Sequence, residues 1–179
     1  LRKLSQIAVA ALALFGCATA AFPQAYEPKT DWEKAQEERD WREADFSLPA
    51  VPTGKGLLEF FVSSASSFKF FIDPQSLSVS ADGIVRYAMV ARSAAGVENV
   101  SFEGIRCQNE TYRVYAFVSG GAWKRTDSDW RPIEPTGIQQ RWHNVLRSEY
   151  FCPKQIQIST AAEGIDALRR GGHPSVRRF

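Results

Sequence analysis

The sequence predicts an α+β domain, a twisted antiparallel β-meander of about five to six strands with C-terminal helices packed on it. Three observations predict it. Between residues 57 and 118, short apolar-aromatic runs are separated by links of hairpin length. After Gly120-Gly121 the apolar residues recur at helical spacing. The chain has 179 residues, 44% hydrophobic and 23% charged, which is the composition of a folded globular protein and the length of one domain with tails.

The N-terminus reads as an export signal, assigned to residues 1–20. Arg2 and Lys3 form a positive end, Ile7 to Phe15 an apolar core, and small residues follow. The core is too short for the ~20 residues of a membrane-spanning helix. Two cleavage routes compete. Ala18-Thr19-Ala20 would release a soluble chain starting at Ala21, whereas Leu14-Phe15-Gly16-Cys17 resembles a bacterial lipobox that would lipidate Cys17. Either route removes Arg2 and Lys3 and leaves 20 basic residues against 20 acidic, with no basic footprint for nucleic acid.

Residues 21–56 read as a charged arm followed by a Pro/Gly linker. Trp32, Ala35 and Trp41 give a sparse helical stripe among many charges, with Asp31 placed to cap a short helix. Pro49, Pro52, Gly54 and Gly56 punctuate the linker, so the domain is expected over 57–170 with a basic disordered tail at 171–179.

Within the domain, LLEFFVS (57–63) and FKFFI (68–72) read as strands, Asp73-Pro74-Gln75-Ser76 as a turn, and LSVS (77–80) as a further strand. Asp82-Gly83 is a hairpin signal before IVRYAMVAR (84–92), which returns as VENVSFEGIRC (97–107). In TYRVYAFV (111–118), Tyr112, Val114, Ala116 and Val118 alternate with Arg113, Tyr115 and Phe117, a pattern of one-sided burial. Phe60, Phe70, Tyr87, Phe102 and Phe117 are the candidate core. Trp123 and Trp130 fall in a polar stretch expected as a loop over the sheet. Helical spacing resumes over 138–151, and Thr160 is placed to cap a helix over 161–170 that Gly171 stops.

Catalytic signatures are absent from the sequence: no nucleophile elbow, Ser-x-x-Lys, His-Glu-x-x-His, phosphate-binding loop or dinucleotide fingerprint. His143 reads as a surface or half-buried helix histidine, and His173 lies in a Gly-Gly-His-Pro tail. Asp73, Glu103 and Glu134 are carboxylates whose spacing selects no pair. Three cysteines and two histidines do not suggest a zinc site, and no cofactor is expected. Trp123 and Trp130 are the binding candidates, read either as a platform for glycan or peptide or as a lid on the sheet. Export discards or lipidates Cys17, so Cys107 and Cys152 remain in an oxidising compartment and are expected to form a disulfide.

The run FFIDPQSLSVSADGIVRYAMVARSAAGVENVSFEGIRC (70–107), with RVYAF (113–117), WRPI (130–133), YFCP (150–153) and LRRGGHP (168–174), resembles the CNP1-like family. These are uncharacterised Gram-negative envelope proteins, so the resemblance implies one domain in the periplasm or envelope and carries no catalytic residue. Residues 68–118 are also similar in layout to the surface-adhesin E family. The expectation is an exported envelope protein, periplasmic or tethered to the outer membrane through Cys17, acting as a non-catalytic binding or structural module. Its partner would be an envelope protein or glycan. The alternative is a periplasmic enzyme acting on cell-wall material.

Overall fold

The computed structural model describes residues 28–136 and 141–176. It divides into a short N-terminal unit ending at Asp40 and a compact unit that starts at Trp41. Residues 1–27, which hold the expected export signal and Cys17, the four residues before Arg141 and the last three residues lie outside the described residues. The short unit holds helix α1 (Asp31–Asp40), which buries no side chain and leaves Trp32 70% exposed. Its start is capped by Thr30 rather than Asp31. Glu33 N–H donates to Thr30 Oγ1, and the Glu33 carboxylate accepts from Thr30 N–H, a reciprocal capping box.

The compact unit is a seven-stranded antiparallel sheet: β1 (Leu58–Phe60), β2 (Phe68–Val79), β3 (Ile84–Ser93), β4 (Glu98–Arg106), β5 (Thr111–Ser119), β6 (Ala122–Arg125) and β7 (Arg131–Pro132). Strands β1 to β6 pair in chain order, and β7 shares the free edge of β5 with β6. The fold is therefore α+β with a β-meander, as the alternating runs predict. Helix α2 (Arg141–Val145) continues without a break into wide π-type turns over Leu146–Phe151, and α3 (Ala161–Arg169) follows. Thr160 caps α3 by accepting from Glu163 N–H, and Gly171 and Gly172 N–H close its other end on Leu168 and Ala167 carbonyls.

Three local readings of the sequence are corrected. Asp73–Ser76 does not reverse the chain: β2 runs through it as one long strand with an irregularity between Asp73 and Ser78. Ser76 explains how, because its hydroxyl donates to Asp73 O and accepts from Ala88 N–H, replacing a ladder bond where the strand bulges. Residues 122–125 are a strand rather than loop. Gly120 and Gly121 both take positive φ, so they close a two-residue hairpin whose twist suits the flanking strands. The third correction is a bulge in β5, where Phe102 pairs with Ala116 but Glu103 with Val114. The extra residue, Tyr115, joins Ala116 on one face and turns Phe117 to the other. Phe117 is 46% exposed and is not core, whereas Phe60, Phe70, Tyr87 and Phe102 are buried.

The sheet is also covered on both faces, not one. On the inner face, Tyr87, Ile105 and Val85 pack with Leu146, Tyr150, Phe151 and Leu168 of the helical segments. Cys107, just past β4, is bonded to Cys152, with Cα atoms 5.5 Å apart. On the outer face, Ala88, Phe102, Tyr115 and Ala116 are covered by Phe46 and Leu48, and by Trp123 and Trp130. Residues 41–49, expected as arm and linker, thus lie on the sheet as an extended strap.

Candidate functional site

The helical segments cover only part of the inner face. Three cross-strand rows continue beyond them. One runs Phe60–Phe70–Ala91–Asn99, the next Ile72–Met89–Ser101–Phe117–Lys124, and the third Tyr87–Glu103–Val114. Directly paired residues point to the same side of a sheet, so each row is a stripe on that face. Phe70, Ala91 and Asn99 of the first row, Met89, Ser101 and Phe117 of the second, and Glu103 and Val114 of the third line an open groove of about 340 Å³, with Phe68 and Trp142 beside them. Trp142 stacks on Phe70 with ring centroids 5.5 Å apart.

One charged side chain lies in this apolar floor. Glu103 is 2% exposed, and the sequence places it on a strand face otherwise occupied by Ile105 and Ser101. Burial of a carboxylate without partners is expensive, and three donors meet it here. Ser101 Oγ–H donates to Oε1 at 2.6 Å, Tyr87 O–H to Oε2 at 3.1 Å, and His143 Nε2 lies 2.9 Å from Oε2. Burial pushes the Glu103 carboxyl up, but the His143 charge and the bonds from His143, Ser101 and Tyr87 outweigh it and hold the group below its ordinary value. Burial and the facing Glu103 charge push the Tyr87 phenol well up, so it stays a neutral donor. The His143 ring is 1% exposed and stacks on Tyr112, centroids 3.7 Å apart.

The connectivity decides what this cluster can do. The carboxylate sits between serine and imidazole, so His143 is not placed to take the Ser101 proton, as a nucleophile–base pair requires. Among the described residues no group of three or more His, Cys, Asp or Glu side chains could hold a metal ion. The cluster ties α2 to the sheet and gives the one carboxylate of the groove floor three partners within the protein.

Match to a family model supplies the identity. The model of the CNP1-like family matches residues 36–169. The chain belongs to the CNP1-like family. No curated protein and no solved structure matches it. The CNP1-like match takes in every strand of the sheet and ends on the last residue of α3.

The residues singled out from the CNP1-like sequence fall in several places. His143 and Glu103 meet in the buried cluster, whereas Asp73 lies in the β2 irregularity and Glu134 is exposed. His143 is fully buried rather than half-buried, because Glu103 needs its donor. Cys107 and Cys152 staple the sheet to the helical segment. Trp123 and Trp130 lie on the outer face, away from the groove: Trp123 Nε1–H donates to Pro49 O at 2.8 Å, and Trp130 packs edge-on against Trp41. Sequence reasoning missed the groove. The available signal was Glu103 itself, a charge at a core-facing strand position, which demands a buried partner.

The outer face carries a second polar cluster. Arg86, 1% exposed, donates to Asp82 Oδ2 at 2.7 Å, Glu43 Oε1 at 3.1 Å and Ser80 Oγ at 2.9 Å. Arg113 donates to the other Glu43 oxygen at 3.0 Å. Asp82 also accepts from Ala44 N–H, and its backbone carbonyl from Trp41 Nε1–H. These bonds fasten the strap. Arg86 and Arg106 stand over the Phe46 and Trp41 rings at 4.8 and 3.9 Å.

Proposed function

We propose that this CNP1-like chain is an exported envelope protein that works by binding, without catalysis, and that the inner-face groove is its binding surface. The observation that carries this reading is the groove's chemistry. Its walls are aromatic and aliphatic, and the one carboxylate in it is committed to three donors from the protein itself. Such a concavity suits an apolar ligand. Its lining holds one carboxylate, not the pair that most glycoside hydrolases use. The export signal supports an envelope location, with the mature chain starting at Ala21 or at a lipidated Cys17. No helix among the described residues is long and apolar enough to cross a membrane.

The binding reading is tested with N-phenyl-1-naphthylamine, whose fluorescence rises in apolar sites. Saturable binding to the folded protein is expected, and Ala91→Trp, which fills the floor, should abolish it while the melting temperature stays near wild type. Absence of saturable binding overturns the reading. Mass spectrometry of the mature N-terminus tests export: Ala21 or diacylated Cys17 supports it, and a chain retaining its leader in the cytoplasm defeats it.

A further inference from the structure

We infer that the groove takes the acyl chain of a single-chain anionic amphiphile, a fatty-acid-like carboxylate, with its head group at Lys124. This rests on the groove being a binding surface and goes further in naming the ligand. The central stripe of the floor runs Met89–Ser101–Phe117 across β3 to β5, and the register continues it on β6 to Lys124, next to the lining. Three inter-strand steps make the stripe with Lys124 roughly 14 Å long, the length of an extended chain of about twelve carbons. Its inner end is sulfur and hydroxyl with the hydrogen-bonded Glu103 beside it, and the ammonium of Lys124 stands past its outer end.

The charge pattern selects the head group. The Glu103 oxygens already face His143, Ser101 and Tyr87, so this carboxylate is engaged within the protein rather than by a ligand's head group. Lys124 is exposed on β6, directly opposite Phe117, and makes no ion pair among the described residues. Apart from Asn99, the remaining floor and walls, from Phe68 and Phe70 to Val114, offer apolar surface to a ligand's tail. A lysine on an edge strand also deters strand-to-strand aggregation. Replacement by glutamate keeps that protection and reverses only the ligand-facing charge.

The experiment measures binding of dodecanoate and of dodecyltrimethylammonium, both below their micellar concentrations, by titration calorimetry on the folded mature protein. Dodecanoate is expected to bind one to one. Lys124→Glu should weaken it roughly tenfold and leave dodecyltrimethylammonium unchanged or tighter. Phe117→Asp should remove both, with circular dichroism and melting confirming the fold; Phe117 is exposed enough to tolerate the change. Equal dodecanoate affinity in wild type and Lys124→Glu overturns the inference, as does preference for phosphatidylglycerol vesicles over the single chain. If neither amphiphile binds while N-phenyl-1-naphthylamine still does, the head-group inference falls and the groove survives. If none of the three binds, both fall.

Discussion

On the inner face of the sheet, helical segments are held by Tyr150, Phe151, Leu146 and Leu168 against strand residues, with one covalent bond behind them. The outer face is closed by a short extended strap, held by Arg86, Asp82, Glu43 and Arg113 and by rings under arginines. Apolar burial is non-directional and degrades gradually as contacts are lost. A buried ion cluster is directional, and losing one member leaves the others charged, desolvated and unpartnered. The strap is thus the face that a single substitution can open, whereas opening the helical face takes several changes or reduction of the disulfide.

The sharpest way to break that contrast is Arg86→Met, which keeps bulk under Phe46 but takes the buried cation from Asp82 and Glu43, leaving Asp82 with backbone donors and Glu43 with Arg113. A loss of about 3–5 kcal/mol in denaturant unfolding is expected, with amide exchange at Ala44 rising first. A cost under about 1 kcal/mol, typical of a surface ion pair, would show that ions do not close this face. On the inner face, the Cys107→Ser, Cys152→Ser double variant opens a loop of 45 residues. The chain-entropy relation gives about 4 kcal/mol for it. The contrast predicts that exchange at Ala44 stays protected below the global transition while the segment around Cys152 loosens.

The same difference sets what the sequence reveals. The meander was legible because its alternation and turns are local signals, and the disulfide because the expected export signal sets Cys17 aside and leaves Cys107 and Cys152 as the remaining pair. The cap at Thr160 was legible for the same local reason. The strap was not: Trp41, Phe46 and Leu48 lie among charges without period, and their partners at Asp82 and Trp123 are distant in sequence. The β5 bulge was equally hidden, since one extra residue shifts Phe117 from core to groove wall without altering the run's composition. The 73–76 reading failed because Pro74 does signal a turn locally, while the Ser76 hydroxyl that keeps β2 continuous acts on a residue of β3. The groove needed the bulge and the incomplete helical cover together.

Acid sharpens the comparison, because each face holds one carboxylate with a lowered pKa. Burial pushes Asp82 up, but the Arg86 hydrogen bond and charge and the bonds from Ala44 and Ile84 N–H outweigh it. Glu103 follows the same logic with His143, Ser101 and Tyr87. A folded pKa below the unfolded one gives stability that is fully present above the unfolded carboxylate range, near 4, and is lost as pH falls through the folded value. Glu103→Gln should therefore cost about 2 kcal/mol at pH 7, from weakened charge-assisted bonds, and flatten the acid limb of stability below about pH 4.5. An unchanged acid limb in urea titrations from pH 7 to 3 would mean that the Glu103 pKa does not fall on folding, and that of the two carboxylates only Asp82 on the outer face is stabilised in its charged form.

The smallest effect tests whether the outer face is cover or contact surface. Trp123 Nε1–H donates to Pro49 O at the end of the strap, and its ring packs edge-on against Phe102 at 6.2 Å. Trp123→Phe keeps most of that packing and removes the donor, leaving a proline carbonyl that neighbouring water can reach. The loss should be about 1 kcal/mol, smaller than the effect of Arg86→Met because no charge is stranded. N-phenyl-1-naphthylamine and dodecanoate binding should not change, since the groove is on the opposite face. If Trp123→Phe instead leaves stability untouched and weakens either ligand, Trp123 belongs to a binding platform, and the division of labour between the two faces fails.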